Sequence, residues 1–294
     1  MGIGKSIINV DVGLGPWSEP AKALIDKIAN GTGALMRPYL ITATARAEAK
    51  AAMIKATSEL DIAKVRKRAA QRLALEETRK QMNMEAITAK ALPDVKNDSK
   101  PEQIDNDWVA NFFDKCRLIS DEEMQNLWAK VLAGEANGPG SYSKRTVNLL
   151  GSLGKEDAIM FNNLCRFCCG IGHRFNSVVM DHNASIYKNN GIVFSNINHL
   201  DDIGLISFNH LSGYVWEWQE TAEKKVLVHY FGTTLDVDGN NKKLKELKIG
   251  KVLLSQCGQE LARICPGDPV EGFTDYLIDY WTKAGFVVTP VTVQ

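Results

Sequence analysis

The sequence predicts a mainly α-helical chain with a smaller α+β part, and three observations carry that prediction. Residues 39–92 contain neither proline nor glycine and are rich in Ala, Glu, Lys, Arg and Gln, the residues that lose least on entering a helix. Residues 105–156 divide into short amphipathic segments separated by caps and glycines. From residue 157 onward, helical patterns alternate with short β-rich runs such as VLVHYF. Three segments follow: 1–92, an amphipathic helix plus a long Ala- and charge-rich helical region; 93–156, a compact three-helix bundle; and 157–294, a winged-helix-like α+β domain.

In the first segment a short strand-like run, IINVDVG, precedes Ser18, which is placed to cap a helix starting at Glu19 and Pro20. Ala23, Leu24, Ile28 and Leu35 recur at helical spacing until Gly31 and Gly33 loosen it. The region that follows is one long helix or a broken pair. Its apolar residues, among them Ile54, Leu60, Val65, Leu73 and Leu75, are too sparse to bury its surface and keep no clean heptad. Such a helix needs a partner, and copies of the same chain are the simplest supplier. A homo-oligomer held by a coiled or bundled stalk is therefore expected.

The stretch PDVKNDSKPEQ reads as a polar linker. Beyond it, Trp108, Phe112 and Phe113 give the first short helix an aromatic face. Ser120 followed by Glu123 reads as a capping box for a second helix with Met124, Leu127, Trp128, Val131 and Leu132 inside, ended by Gly134. GPGS turns the chain, Ser141 or Ser143 caps a third helix carrying Val147, Leu149 and Leu150, and Gly151 stops it.

In the third segment, AIMFNNLCRFCCG reads as helical and DVDGNN as a hairpin turn, with FTDYLIDYWTKAGFVVTPV giving a helix and an extended tail. In NINHLDDIGLISF, Ile197, Leu200 and Ile203 share one helical face, Gly204 permits a left-handed exit, and Leu205 and Ile206 enter a strand. LLSQCGQELARI reads as a strand, a tight turn through Gly258 and a helix with Leu261 and Ile264 inside. That order predicts a winged-helix-like core. Asn196, Asn198 and His199 are base-reading residue types, but Asp201 and Asp202 would face phosphate beside them. The preferred expectation is a fold-stabilising helix or a protein-contact surface.

Basic and acidic side chains both number 35, which excludes a uniformly basic nucleic-acid clamp. The neutrality conceals a gradient: residues 1–92 carry 15 basic against 9 acidic side chains, net +6, while 93–156 and 157–294 are each net −3. KVRKR at 64–68, continued by Arg72, Arg79 and Lys80, is the best anion-facing feature, interrupted by Asp61, Glu76 and Glu77. A solvated face laced with ion pairs is its default reading. The alternatives are nucleic-acid phosphate or an anionic membrane surface reached through Lys64, Arg66, Lys67, Arg68 and Arg72.

With no basic leader, no apolar stretch near 20 residues and six dispersed cysteines, a cytoplasmic protein is expected. Cys165, Cys168 and Cys169 with His173, and His182 as an extra ligand, suggest zinc, yet they sit among Leu164, Phe167 and Ile171 as small core residues do. No metal or cofactor is expected. Ser141 and Lys144 have S-x-x-K spacing, which also arises at helix starts, and no P-loop, HExxH or GxSxG occurs. No catalytic residue is assigned, and whether the chain is an enzyme stays open.

The blocks PWSEPAKALIDKI, RPYLITATARAEAKA, IDNDWVANFFDKCRLISDEEMQNLWAKVLAGE and GPGSYSKRTVNLL resemble a bacterial family carrying the DUF2806 domain, over roughly residues 7–170 and more loosely beyond. Asp107–Trp108, Leu127–Trp128–Ala129–Lys130 and Pro139–Gly140–Ser141 are its most specific marks. The resemblance implies that the long helix and the short helices form a unit; it assigns no catalytic residue. The DW and LWA blocks after a helical region are also loosely similar to proteins suspected of phage abortive infection. The functional expectation is a non-enzymatic homo-oligomeric assembly or scaffold protein, with anti-phage defence as its context. A DNA-binding protein and a peripheral protein on anionic lipid are the alternatives.

Overall fold

Caps, glycines and buried aromatic residues place each element in the computed structural model, which describes residues 17–33, 64–172, 174–218, 224–240, 246–265 and 267–291. The IINVDVG run, most of the predicted long helix before residue 64, and His173 lie outside the described residues. The chain divides into two compact units, 1–151 and 152–294. The boundary expected at 92/93 falls inside the first unit, and that at 156/157 lies close to the observed division.

In the first unit, α1 (Glu19–Thr32) buries Leu24, Ile25 and Ile28 and ends at Gly33, whose φ of 67° is the left-handed conformation that glycine adopts without strain. Ser18 holds the N-cap position without a side-chain capping bond. Gly31 stays inside the helix, because a Cβ there would lie 2.8 Å from Val109 of the helix packed against it. The long α2 (Lys64–Ala91) follows, then α3 (Asn106–Cys116), α4 (Glu122–Asn137) and α5 (Lys144–Leu150). α3 packs on α1 and α5, and α4 packs on α2, so the three short helices share their core with the two that precede them. Phe112 stands at the centre, stacked on Trp108 at 5.1 Å and edge-on to Trp128 at 5.0 Å.

Two local signals resolve differently from the sequence reading. Asp121, rather than Ser120, caps α4 by accepting the Met124 amide at 3.0 Å, because Asp121 is the residue with extended backbone directly before the first helical turn. Gly134 does not end that helix, which runs on to Asn137; the glycine makes room for the Tyr142 ring, 2.7 Å from where a Cβ would stand. The predicted linker is tied down: Asn137 Oδ1 accepts the Lys96 amide at 2.8 Å and the Ser99 hydroxyl at 2.6 Å, and its Nδ2 donates to the Asp94 carbonyl at 2.9 Å.

The second unit is mixed α and β. It comprises α6 (Lys155–Cys165), β1 (Cys168–Ile171), β2 (Arg174–Ser177), α7 (Ser185–Lys188), α8 (Phe194–Asp202), β3 (Ile206–Phe208), β4 (Tyr214–Glu217), β5 (Lys225–Tyr230), β6 (Thr233–Asp238), β7 (Glu246–Gly250), β8 (Val252–Leu254), α9 (Gln256–Ala262), α10 (Phe273–Ala284) and β9 (Val287–Val291). An antiparallel sheet runs in the order β2-β1-β5-β6-β9, and β3 pairs with β8 and β4 with β7. The predicted extended tail is the edge strand β9. Val226, Val228 and Tyr230 alternate into the core from β5, as period-two burial requires. The hairpin turn is Phe231–Gly232, with φ of 40° and 84°. The first half of DVDGNN, Asp236 to Asp238, is instead the end of β6, where Leu235 and Val237 are buried, and β7 pairs with β4; Asn241 lies outside the described residues.

A ring cluster holds this core: Phe273 lies 5.0 Å from both Phe167 and Tyr230, and Phe167 lies 5.0 Å from Tyr187. The buried Tyr187 hydroxyl donates to the Val178 carbonyl at 3.0 Å and accepts the Met180 amide at 3.2 Å, so its polar end is satisfied. α8 leaves through Gly204 at φ 81°, and Leu205 and Ile206 enter the core as predicted. The chain then returns at Ser255, not Gly258. Ser255 Oγ donates to the Gly204 carbonyl at 2.7 Å and accepts the Gly258 amide at 3.0 Å, capping α9 and fastening it to the exit of α8.

Candidate functional site

The predicted anion-facing residues lie on the first half of α2. Arg66, Arg68 and Arg72 are exposed and Lys67 is half-buried; the Lys64 side chain lies outside the described residues. From Arg66 to Met82 no residue is buried, whereas Asn83, Glu85, Ala86, Ile87 and Thr88 are. The change has a local cause. Asn83 Nδ2 donates to the Arg117 carbonyl at 2.9 Å and to Ser120 Oγ at 3.2 Å, and Gln125 Nε2 donates to the Ile119 carbonyl at 2.9 Å, so the loop before α4 closes over α2 from that point.

Before it, α2 carries seven basic side chains against two acidic ones over residues 64–82, net +5. Arg72–Glu76 at 2.9 Å and Lys80–Glu77 at 2.6 Å are exposed pairs within the helix, screened by solvent and therefore weak. Lys80 and a charge from Arg117 hold the Glu77 carboxyl below its ordinary range, the Lys80 hydrogen bond acting most strongly. A groove of about 730 Å³ runs along this half, lined by Arg68, Arg72, Leu75, Glu76, Arg79 and Met82 among others. Leu73 is 57% exposed.

The base-reading residue types of α8 are engaged inside their own unit. Asn196 Nδ2 donates to the Gly191 carbonyl at 3.0 Å, Asn198 Nδ2 to Asp202 at 3.0 Å, and His199 Nε2 lies 2.6 Å from Asp157 Oδ1. Asp202 is exposed beside Asn198.

The helical reading of the cysteine run ends at Cys165; Cys168 and Cys169 are strand residues, so the common helical face expected of the three does not exist. Cys165 instead has the thiols of Cys168 and Cys265 as its neighbours. Those neighbours first, and then burial, hold the Cys165 thiol well above the usual thiol range. His182 packs against Phe194 and Phe208, with centroids 5.8 and 6.1 Å away. Among the described residues no three His, Cys, Asp or Glu side chains form a group that could hold a metal ion.

The S-x-x-K pair is not assembled for chemistry. Ser141 Oγ donates to the Gly138 carbonyl at 2.5 Å, and Lys144 Nζ lies 3.4 Å from Asp105 and 3.7 Å from Asp107. Ser143 is the helix cap, accepting the Thr146 amide at 3.2 Å. The residue that organises this loop is an acidic residue of α4 that helical propensity and surface charge do not explain. Buried Glu135 accepts the Gly140 amide at 2.7 Å and the Tyr142 amide at 2.9 Å, one on each oxygen, while Trp108 Nε1 donates to the Tyr142 carbonyl at 2.7 Å.

A family model described as a protein of unknown function, DUF2806, matches residues 67–278. The chain belongs to that family. The DUF2806 match begins on the exposed half of α2 and ends within α10, so it takes in most of both units. In this DUF2806 protein the resembling blocks around Trp108, Trp128 and Gly140 converge on one loop and one aromatic core. No curated protein and no solved structure matches the chain. No helix among the described residues is long and apolar enough to cross a membrane.

Proposed function

We propose that this DUF2806 protein is a non-enzymatic assembly protein that associates with copies of itself through the first half of α2. The observation that carries the reading is the switch in α2 from seventeen residues with none buried to a buried segment beginning at Asn83. A helix that is polar and exposed over several turns gains little from its own sequence and is stabilised by packing against another surface. Leu73, Leu75 and Met82 favour a protein surface there, since phosphates gain nothing from them. Glu76 and Glu77 give a staggered copy something to pair with Arg66, Arg68 and Arg72.

A second reading is supported by the net +5 of the same half-helix: a polyanion such as duplex DNA bound along Arg66, Arg68, Arg72 and Arg79. An anionic membrane surface draws on the same charges. We also infer that α6, α7, α8, β3 and β8 form a winged-helix-like core whose wing is enlarged by β4 to β7; the pairing of β3 with β8, and the hydrogen bond from the Leu254 amide to Asn176 of β2 at 3.3 Å, support it. Its α8 serves the fold or a protein contact, because its asparagines and histidine are already bonded. Anti-phage defence as the context is supported by sequence resemblance alone.

Light scattering of the full chain over protein concentration and salt, with and without duplex DNA, tests these readings. A defined oligomer indifferent to DNA, which Leu73→Glu weakens at least about tenfold, supports assembly. A monomer at micromolar concentration overturns it. A mass that rises with DNA at low salt and falls with added salt transfers the half-helix to the polyanion reading.

A further inference from the structure

Three thiols are neighbours in the second unit, and one of them belongs to a partly exposed residue. Cys165 ends α6 and Cys168 begins β1, so they form a C-x-x-C pair across the helix-to-strand turn; Cys265 follows α9, nearly a hundred residues later. The hydrogen-bonded frame that brings Cys265 to this turn is independent of the thiols. Arg166 Nε donates to the Asp268 carbonyl at 3.1 Å, the Tyr230 hydroxyl donates to the Arg166 carbonyl at 2.9 Å, and the Val270 amide donates to the same hydroxyl at 2.7 Å. The backbone of Gly267 lies against Arg166 as well, with a Cβ there placed 3.2 Å from Arg166 Cγ. Residues 267–270 are thus laid against the residue after Cys165, and Cys168 and Cys265 are the neighbouring thiols that act on Cys165.

Exposure separates their roles. Cys116, Cys165, Cys168, Cys169 and Cys257 are buried, while Cys265 is half-exposed. An oxidant from solvent therefore meets Cys265 first, and a buried thiol in contact with it is already in place to react next.

We propose that Cys265 is a hydroperoxide-reactive site and that Cys165 is its resolving thiol, so that oxidation closes a Cys165–Cys265 disulfide. In the first step the Cys265 thiolate attacks the terminal peroxide oxygen, the O–O bond breaks, and Cys265 becomes a sulfenic acid as the hydroperoxide leaves as its alcohol, or as water from hydrogen peroxide. In the second, Cys165 sulfur, giving up its proton, attacks the sulfenic sulfur and water leaves. Two electrons pass from the two thiols to one peroxide. The bond joins the end of α6 to the loop after α9 and fixes a juxtaposition that the reduced protein holds by hydrogen bonds alone.

The test is mass-spectrometric mapping of the full chain after titration with hydrogen peroxide, followed by alkylation of remaining thiols. Trypsin separates the three sites, since Arg166 lies between Cys165 and Cys168 and Arg263 lies between Cys257 and Cys265. The expected product links peptide 156–166 to peptide 264–283, formed at least about tenfold faster than any loss of Cys116 or Cys257 alkylation. In Cys165→Ser the sulfenic acid at Cys265 persists and is captured by a cyclic 1,3-diketone; in Cys265→Ser the linked peptide is lost. The wild-type map is decisive even where a variant folds poorly. Six thiols that stay equally alkylatable, or a first bond between Cys165 and Cys168 with Cys265 untouched, overturn the proposal.

Discussion

Nε2 of His199 lies 2.6 Å from Oδ1 of Asp157, joining α8 to the first turn of α6. Asp157 also accepts the Gly154 amide at 2.8 Å through its other oxygen. Burial acts to raise the Asp157 carboxyl, but the hydrogen bonds from His199 and Gly154 and the His199 charge outweigh it, and the net direction is downward. A carboxyl held below its unfolded value of about 3.9 contributes stability above that pH and loses it as pH falls through the folded value. Stability is therefore expected to decline on acidification below about pH 4, and Asp157→Asn to flatten that part of the profile. His199→Ala should cost about 1 kcal/mol near neutrality, a modest figure because the imidazole is 44% exposed. Urea unfolding from pH 3 to 8 reads all three; an unchanged acid limb in Asp157→Asn contradicts the assignment.

Gly258→Ala should be among the most damaging substitutions in the second unit. Alanine gains up to about 1 kcal/mol of helix propensity over glycine. The added Cβ would stand 2.0 Å from the Leu205 carbonyl oxygen, which belongs to backbone held by the Ser255 amide at 3.0 Å and cannot rotate away. Overpacking of about 3 kcal/mol wins, and a lowered midpoint in thermal or urea unfolding is expected. A neutral or stabilised variant would show that α9 does not dock there as described.

Glu135→Ala is expected to cost about 3 kcal/mol, since it strands two backbone amides beneath the Trp108 and Tyr142 contact. Glu135→Gln keeps one acceptor oxygen and should lose about half as much. Hydrogen exchange supplies the local readout: the amides of Gly140 and Tyr142 should lose protection in both variants, and unchanged protection would contradict the clamp.

The cap of α4 is a direct contest between neighbours. Asp121→Ala should cost about 1 kcal/mol through loss of the bond to the Met124 amide, and Ser120→Ala about half that or less, since Asn83 keeps its bond to the Arg117 carbonyl. Equal effects in unfolding experiments, or the reverse order, would restore Ser120 as the cap.

Helices were legible wherever their own residues encode them. The aromatic face of α3, the apolar face of α4, a serine cap at 141 or 143 and the left-handed exit at Gly204 all depend on residues within a few positions of one another, and the structure chose Ser143 as the cap. Several of the errors fall where a residue outside the element decides. Gly134 stays helical because Tyr142 fills the space beside it, and Gly258 because Leu205 lies against it. Cys168 and Cys169 leave the helical pattern because β1 has β2 and β5 to pair with.

By itself, then, the sequence determined a mainly helical chain with a mixed C-terminal region and its membership of the DUF2806 family. Local propensity, capping and burial periodicity are written in neighbouring residues. Only the tertiary structure decided that Glu135 grips the Gly140 loop, that His199 is bonded to Asp157, and that Cys265 meets Cys165. The last two span chain separations that no local pattern encodes, and the first, though only five to seven residues long, depends on how the loop after α4 folds back under Trp108.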